Sequence, residues 1–197
     1  MASYEPEQDP YTWTGSNVLT NKLGLQTDEA LQMVEYELTI RRQAQLDQSP
    51  INGNFDLAHL QAIHQHIFQD VYEWAGKLRT TSIAKGGSPF AHPDYIESFA
   101  KGVFRSLAME KHLRGLSEKL FVERLSYHFS EINAIHPFRE GNGRALQTFL
   151  DLLAQQAGYS IDFSGVSKKD WDAAAKESFD INLGPILEVF QGIVKKD

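Results

Sequence analysis

The sequence predicts an all-α protein, a helical bundle with one short β-hairpin, formed as a single domain over 197 residues. Apolar residues recur every three or four positions along most of the chain, which is the spacing of one face of an α-helix. Serine, threonine, aspartate or proline stands where most of these segments begin, and such residues cap or open helices. After the irregular residues 1–26, residues 78–91 are the one longer stretch that departs from this pattern.

Each element follows from these signals in chain order. Residues 1–26 are rich in turn formers and predict an irregular N-terminal segment. We expect helices from a cap at Thr27 or Asp28 to about Leu46, from a cap at Asp56 to residues 74–76, from Pro93 to near Gly115, from a cap at Ser117 to Ile135, from about Gly143 to Gly158, from residues 167–170 through Phe179, and from Pro185 to near Val194.

Residues 78–91 predict the one hairpin. They are rich in β-branched and hydroxyl residues around the pair Gly86 and Gly87. A lone hairpin is marginally stable and has free edges, so it either packs down or binds an extended partner strand. The residues themselves leave both alternatives open.

Composition excludes several classes of protein. The net charge of −7 argues against direct binding to nucleic acid, which favours a basic face. The absence of cysteine removes disulfides, thiol nucleophiles and thiolate metal sites. No apolar run is long enough for a membrane span, and the first residues do not form a signal peptide. We therefore expect a cytoplasmic protein without membrane partners, with secretion as an effector left open.

Residues 136–144 contain the groups needed to bind a phosphate at the start of a helix. Free N–H groups and the helix dipole favour an anion there. Gly141 and Gly143 let the backbone approach without a Cβ in the way. The side chain of Asn142 can donate a hydrogen bond, and Arg144 can grip a phosphate with its fork of donors.

The same loop contains a base and a metal ligand. His136 titrates near neutral pH and can accept a proton from an attacking hydroxyl. Glu140 is an oxygen ligand of the kind that Mg²⁺ takes together with phosphates. The alternative is a structural turn, since Gly-Asn-Gly between two helices needs no ligand and a histidine before proline is commonly structural. We expect Phe138 to be buried under the loop and Arg139 to face solvent.

The other histidines are weaker candidates. His64 and His66 lie on different faces of their helix and form a poor metal pair. His59 and His64 also have the wrong spacing for a shared face. His128 stands on an apolar stripe and is expected to be a satisfied core histidine.

The loop resembles the signature of the Fic-domain family, His-Pro-Phe-x-(Asp/Glu)-Gly-Asn-Gly-Arg-x-x-Arg. Here it is written His136-Pro137-Phe138-Arg139-Glu140-Gly141-Asn142-Gly143-Arg144. Further stretches that resemble bacterial Fic proteins are 9–11, 17–24, 70–77 with Arg79, 83–86 and 90–91. The resemblance covers about residues 9–190 and implies the Fic fold, as found in toxins of toxin–antitoxin pairs and in secreted effectors.

The resemblance implies transfer of AMP from ATP to a Tyr, Thr or Ser hydroxyl of a target protein. His136 would deprotonate that hydroxyl, and Glu140 would hold Mg²⁺ against the phosphates. An anion hole of Gly141, Asn142 and Gly143 would act together with Arg144. The hairpin would be a flap that docks the target, with Ile83, Ala84 and Gly87 on the docking side and Lys85 and Gly86 beside the nucleotide.

One position departs from the signature. Gln147 stands where the family has a second arginine, which contacts the γ-phosphate and pairs with an inhibitory glutamate. A charged hydrogen bond contributes about 1.5–3 kcal/mol and a neutral one about 1 kcal/mol, so we expect ATP use weakened roughly tenfold. Transfer of another phosphate-containing group, and a catalytically weak nucleotide- or protein-binding module, are the alternative functions.

The inhibitory motif of the family, (Ser/Thr)-x-x-x-Glu-(Gly/Asn), is missing. The nearest stretches run from Ser3 to Gln8 and from Ser106 to Lys111, and both end in the wrong residue. The resemblance therefore implies a separate small helical antitoxin that supplies the glutamate in trans.

Overall fold

The computed structural model describes residues 9–85, 88–179 and 182–197. Within them lie seven α-helices and two small antiparallel sheets, so the expected all-α class is confirmed. The helices are α1 (Asp28–Gln48), α2 (Leu57–Phe68), α3 (Ile96–Met109), α4 (Glu118–Ile135), α5 (Asn142–Ala157), α6 (Lys168–Phe179) and α7 (Gly184–Ile193). The strands are β1 (Ala84–Lys85), β2 (Ser88–Pro89), β3 (Tyr159–Ile161) and β4 (Val194–Lys196).

Helix α4 lies at the centre of the bundle, where it contacts α3, α5, α6 and α7. Helix α2 contacts α1 on one side and α5 on the other. This arrangement places the loop between α4 and α5 against the end of α2. None of the helices in the described residues is long and apolar enough to cross a membrane.

Most helix starts follow the predicted caps. Thr27 and Asp56 accept hydrogen bonds from the first turns of α1 and α2. Ser167 and Asp170 bond to each other across the start of α6. Ser117 precedes α4 as expected, but its side chain makes no capping hydrogen bond.

Two helices are shorter than their apolar spacing predicts. Helix α2 ends at Phe68, about two turns before Gly76, because the following backbone makes tertiary bonds: Val71 O accepts from the N–H of Lys22. Helix α3 ends at Met109 instead of near Gly115. The chain then turns with positive φ angles at residues 111–113, which buries Leu113 completely.

The sheets also differ from the expectation of a single hairpin. Strands β1 and β2 pair antiparallel within residues 78–91, but each has only two residues. A second pair, β3 with β4, joins the end of α5 to the end of α7. Three-residue strands separated by two helices have no local signal, and they form because Tyr159, Ile161 and Val194 are buried together.

Candidate active site

The loop between α4 and α5 begins and ends in left-handed backbone. Helix α4 stops at His136, whose φ is +47°, since the residue before a proline disfavours helix. Gly141 has a φ of +79° at the start of α5. A Cβ at this position would lie 2.3 Å from Cζ of Phe68, so both the φ angle and the available space require glycine.

Asn142 shapes the interior of the loop. Its Oδ1 accepts from the N–H of Phe138 at 2.9 Å, and its Nδ2 donates to the carbonyl oxygen of Phe138 at 2.8 Å. Phe138 is completely buried, as predicted. Because the side chain of Asn142 is engaged in this way, the loop offers an anion its backbone N–H groups.

His64 of α2 supports the loop from below. Its ring stacks on that of Phe138 with 3.8 Å between centroids. Nδ1 accepts from the N–H of Gly76 and Nε2 lies 2.9 Å from the carbonyl oxygen of Glu140, so the proton is on Nε2. Burial lowers the pKa of His64 to about 4, which keeps the ring neutral. Sequence reasoning missed this role, and its one signal was a histidine on the apolar face of α2.

Arg79 is 2% exposed and joins the end of α4 to the residues before the flap. Its Nε donates to the carbonyl oxygen of His136 at 2.8 Å, and its Nη2 donates to that of Ile135 at 3.2 Å. Nη1 donates to the carbonyl oxygen of Thr81. The guanidinium thus satisfies carbonyls that a helix C-terminus leaves without intrahelical donors.

The imidazole of His136 is half-buried, and its contacts with Asn133 and Phe90 orient it. Nδ1 lies 3.2 Å from the carbonyl oxygen of Asn133, which can only accept, so Nδ1 carries the proton. The ring stacks on Phe90 with 3.7 Å between centroids. Nε2 is therefore the proton-accepting nitrogen of His136.

The first turn of α5 is the candidate anion site, and its residue Asn142 lines the same small cavity as His136. The N–H groups of a first helical turn lack intrahelical acceptors. Gly143 is exposed, and a Cβ built there would meet nothing within 4 Å. Oε1 of Glu140 accepts from the N–H of Gly141 at 2.9 Å, and its side chain is 49% exposed.

Arg144 is held by residues that sequence reasoning did not associate with the site. Its Nη2 lies 2.5 Å from Oε1 of Glu35, and its Nη1 donates to Oγ1 of Thr39 at 3.2 Å. The guanidinium carbon lies 4.6 Å above the ring of Phe68. The sequence signal that could have revealed Glu35 is its spacing of four residues from Leu31, which places a charged residue on the buried face of α1.

Arg139 does not face solvent, so that expectation was wrong. Its Nε and Nη2 both donate to Oδ2 of Asp9, at 2.8 and 2.6 Å. The pair fastens the loop to the N-terminal segment, which the chain places 130 residues away.

The flap and Gln147 complete the predicted set. Ala84 pairs with Pro89 and Lys85 with Ser88. Ile83 is half-buried and Ala84 exposed. Gly86 and Gly87 lie outside the described residues. Gln147 is half-buried on α5, one turn after Arg144 and on the same face.

The donor set fits Mg²⁺ shared with phosphates. No group of three His, Asp or Glu side chains that could hold a metal by itself occurs in the part of the chain that the structure describes. Glu140 offers one half-exposed carboxylate at the anion site. Mg²⁺ bound through one carboxylate, phosphates and water needs no more from the protein.

This geometry is that of a helical protein in which an imidazole and the start of a helix line one cavity, an arrangement suited to binding an anion beside a base. Residues 54–154 match the model of the Fic/DOC family. The chain is 45% identical over 179 residues to protein adenylyltransferase VbhT of Bartonella schoenbuchensis, covering 91% of this chain and 37% of that protein. It is 35% identical to the probable protein adenylyltransferase Fic of Escherichia coli, covering 96% of this chain and 94% of the relative.

Solved structures that resemble this chain are also Fic-domain or Bep effector proteins. The BepC effector protein of Bartonella tribocorum, solved with bound AMPPNP, superposes with a TM-score of 0.88 at 30% identity and covers 95% of this chain and 97% of its own. A Bep Fic domain of Bartonella quintana with bound ADP gives the same TM-score and identity, covering 95% of both chains. The chain belongs to the Fic/DOC family and has the Fic fold.

Proposed function

We propose that this chain transfers AMP from ATP to a Tyr, Thr or Ser hydroxyl of a target protein, as a protein adenylyltransferase. The observation that carries the proposal is the orientation of His136. Its Nδ1 lies 3.2 Å from the carbonyl oxygen of Asn133, so the basic Nε2 belongs to a ring that lines the same cavity as Asn142 in the first turn of α5. The names of the relatives, and the nucleotides bound in the solved neighbours, support this activity.

In the proposed reaction, Nε2 of His136 accepts the proton of the target hydroxyl while the oxygen attacks the α-phosphorus of ATP. The bond from the α-phosphorus to the bridging oxygen breaks, and pyrophosphate leaves. Backbone N–H groups of Asn142 and Gly143 stabilise the charge that develops on the phosphoryl oxygens, and the N–H of Gly141 joins them once the Glu140 carboxylate leaves it for Mg²⁺. Arg144 grips the phosphates through donors that Glu35 and Thr39 do not use.

Glu140 would hold Mg²⁺ beside the phosphates. The bound ion would neutralise phosphate charge and favour departure of pyrophosphate. The carboxylate fits this role because it is half-exposed and lies at the edge of the anion site.

The flap would dock the target as an added strand. The chemistry needs the hydroxyl near His136, and Phe90, next to β2, stacks on that imidazole. Ile83, Ala84 and Gly87 belong to the proposed docking edge, with Lys85 and Gly86 beside the nucleotide. Main-chain pairing gives affinity with little demand on the target's sequence.

Regulation in trans is part of the proposal. In the stretch from Ser106 to Lys111, Glu110 pairs with Arg124 at 2.5 Å and is therefore already engaged in an ion pair of its own. The stretch from Ser3 to Gln8 lies outside the described residues. A small helical antitoxin would supply the inhibitory glutamate. We place the activity in the cytoplasm, of the bacterium or of a host cell that receives an effector.

The test is a labelling assay in bacterial lysate with Mg²⁺ and ATP labelled at either the α- or the γ-phosphate. Transfer of the α-label alone, lost in His136→Ala and retained in the exposed control His92→Ala, supports the proposal. Transfer of the γ-label would mean phosphoryl transfer instead. Absence of both labels, with ATP still bound, would favour the nucleotide-binding module.

A further inference from the structure

Glu35 is a carboxylate in the buried face of α1. It is 9% exposed, between the buried residues Leu31 and Thr39 one turn to either side. An ionised group in such a place loses hydration and needs partners. It has two: the hydroxyl of Tyr72 donates to Oε2, and Nη2 of Arg144 lies 2.5 Å from Oε1.

The hydroxyl of Tyr72 stays protonated and so remains a hydrogen-bond donor to Glu35. Burial, reinforced by the nearby charge of Glu35, raises the pKa of the Tyr72 hydroxyl, which therefore remains a donor at neutral pH. Tyr72 is 1% exposed and stacks on Trp74 with 4.1 Å between centroids. The carboxylate of Glu35 thus has its second oxygen fixed by a rigid, buried group.

Arg144 lies between two carboxylates that differ in hydration. Oε1 of Glu35 is 2.5 Å from Nη2, and Oε1 of Glu140 is 3.9 Å from the same atom. The side chain of Glu35 is 11% exposed and that of Glu140 49%. Attraction is stronger in the less hydrated surroundings, so the guanidinium stays with Glu35. Thr39 and the ring of Phe68 hold it there.

Without the charge at position 35, Glu140 is the nearest carboxylate to Arg144 among the residues that the structure describes. The two are four residues apart at the start of α5, a spacing at which side chains pair. Such a pair would engage the carboxylate that the proposed function assigns to Mg²⁺. It would also draw the guanidinium away from its place beside Thr39.

We propose that Glu35 is a positioning residue that holds Arg144 away from Glu140, so that Glu140 remains available for Mg²⁺ and Arg144 for phosphate. This inference rests on the proposed function, because it concerns the same nucleotide site. It adds a residue of α1, remote in sequence from the loop, to the machinery of the site.

The experiment measures ATP binding by isothermal titration calorimetry over a series of Mg²⁺ concentrations. Glu35→Gln keeps an acceptor for Tyr72 but turns an amide N–H₂ toward Arg144, which releases the guanidinium. We expect the Mg²⁺ concentration for half-maximal ATP binding to rise about tenfold. Glu37→Gln, an exposed change on the same helix, leaves it unaltered. Thermal unfolding of each variant checks folding.

A double-mutant cycle separates positioning from a merely structural role. In a Glu140→Gln background, Glu35→Gln should change the Mg²⁺ dependence by less than about twofold, because the competing carboxylate is gone. If Glu35→Gln fails to fold, Tyr72→Phe tests the inference instead. It keeps the charge of Glu35 but removes the hydroxyl that fixes the carboxylate. The expected rise for Tyr72→Phe is about two- to threefold.

The outcomes distinguish this inference from the proposed function. Unchanged Mg²⁺ dependence of ATP binding in folded Glu35→Gln, or additive effects of the two changes in the cycle, overturns the inference about Glu35. The proposed function still stands in that case if ATP binding by the wild type depends on Mg²⁺. Wild-type binding that is indifferent to Mg²⁺ overturns both.

Discussion

The rings of Phe90 and His136 lie face to face, 3.7 Å apart between centroids and 12° from parallel. The N–H of Phe90 donates to the carbonyl oxygen of Ile83, so the stack joins the imidazole to the base of the flap. The orientation of the proposed base therefore depends on a residue next to the hairpin.

Replacing Phe90 with alanine should slow AMP transfer more than it weakens ATP binding. General base catalysis contributes about 10²–10⁴-fold, and loss of the stacked ring leaves His136 less well oriented, so we expect a fall of about tenfold in rate. Initial rates of α-label transfer at saturating ATP measure this. Phe99→Ala, at a 52% exposed position of α3, is the control and should keep the wild-type rate.

Alanine at Gly141 should lower stability, whereas alanine at Gly143 should lower ATP affinity. Gly141→Ala forces a Cβ into Phe68 at a φ of +79°, and we expect a loss of about 2 kcal/mol or more in the free energy of unfolding. Gly143→Ala meets open space inside a helix and should not lower stability. Its Cβ, however, obstructs the approach of a phosphate, and ATP affinity should fall about tenfold.

Urea unfolding and ATP titration of the two glycine variants test this pair. Equal stability of the two variants would contradict the loop geometry. Unchanged ATP affinity in Gly143→Ala would contradict the position of the anion site.

His64 should make stability depend on pH. Its pKa is about 4 in the folded chain and near 6.5 when unfolded, so the unfolded state binds the extra proton between these values. Stability attributable to His64 is complete above about pH 6.5 and decreases as the pH falls toward 4. Between about pH 7.5 and 5 the loss should be about 2 kcal/mol.

The measurement is the free energy of unfolding in urea at both pH values for wild type and His64→Gln. The difference between the two pH values should shrink by that amount in His64→Gln, while His92→Gln at an exposed position retains the wild-type difference. An equal pH dependence in all three proteins would show that His64 is not held neutral.

Gln147→Arg should restore the second arginine of the family signature. A charged donor on the face of Arg144, one turn along α5, is expected to raise ATP affinity about tenfold. Calorimetry with ATP and Mg²⁺ measures the change, and Gln155→Arg near the end of the same helix is the control. If Gln147→Arg binds ATP like the wild type, position 147 has no part in phosphate binding.

Much of the fold could be predicted because its signals are local. The caps at Thr27 and Asp56, the stop at His136 before proline, and the left-handed Gly158 each act within a turn of their own helix. The motif that places His136, Glu140 and Arg144 on the loop and the first turn of α5 is local as well. The predicted ends of α2 and α3 were wrong, because apolar spacing continues past the last helical residue in both. Tertiary hydrogen bonds end α2, and a turn that buries Leu113 follows α3.

The sequence by itself thus determined the helical class, the loop and the chemical groups that the loop carries. Only the tertiary structure decided which partners orient them. Glu35 meets Arg144, Asp9 meets Arg139 and His64 meets Glu140 across separations of 109, 130 and 76 residues. The physical reason is that a buried charge or imidazole takes whichever partner the packed helices bring to it, and no local pattern records that choice.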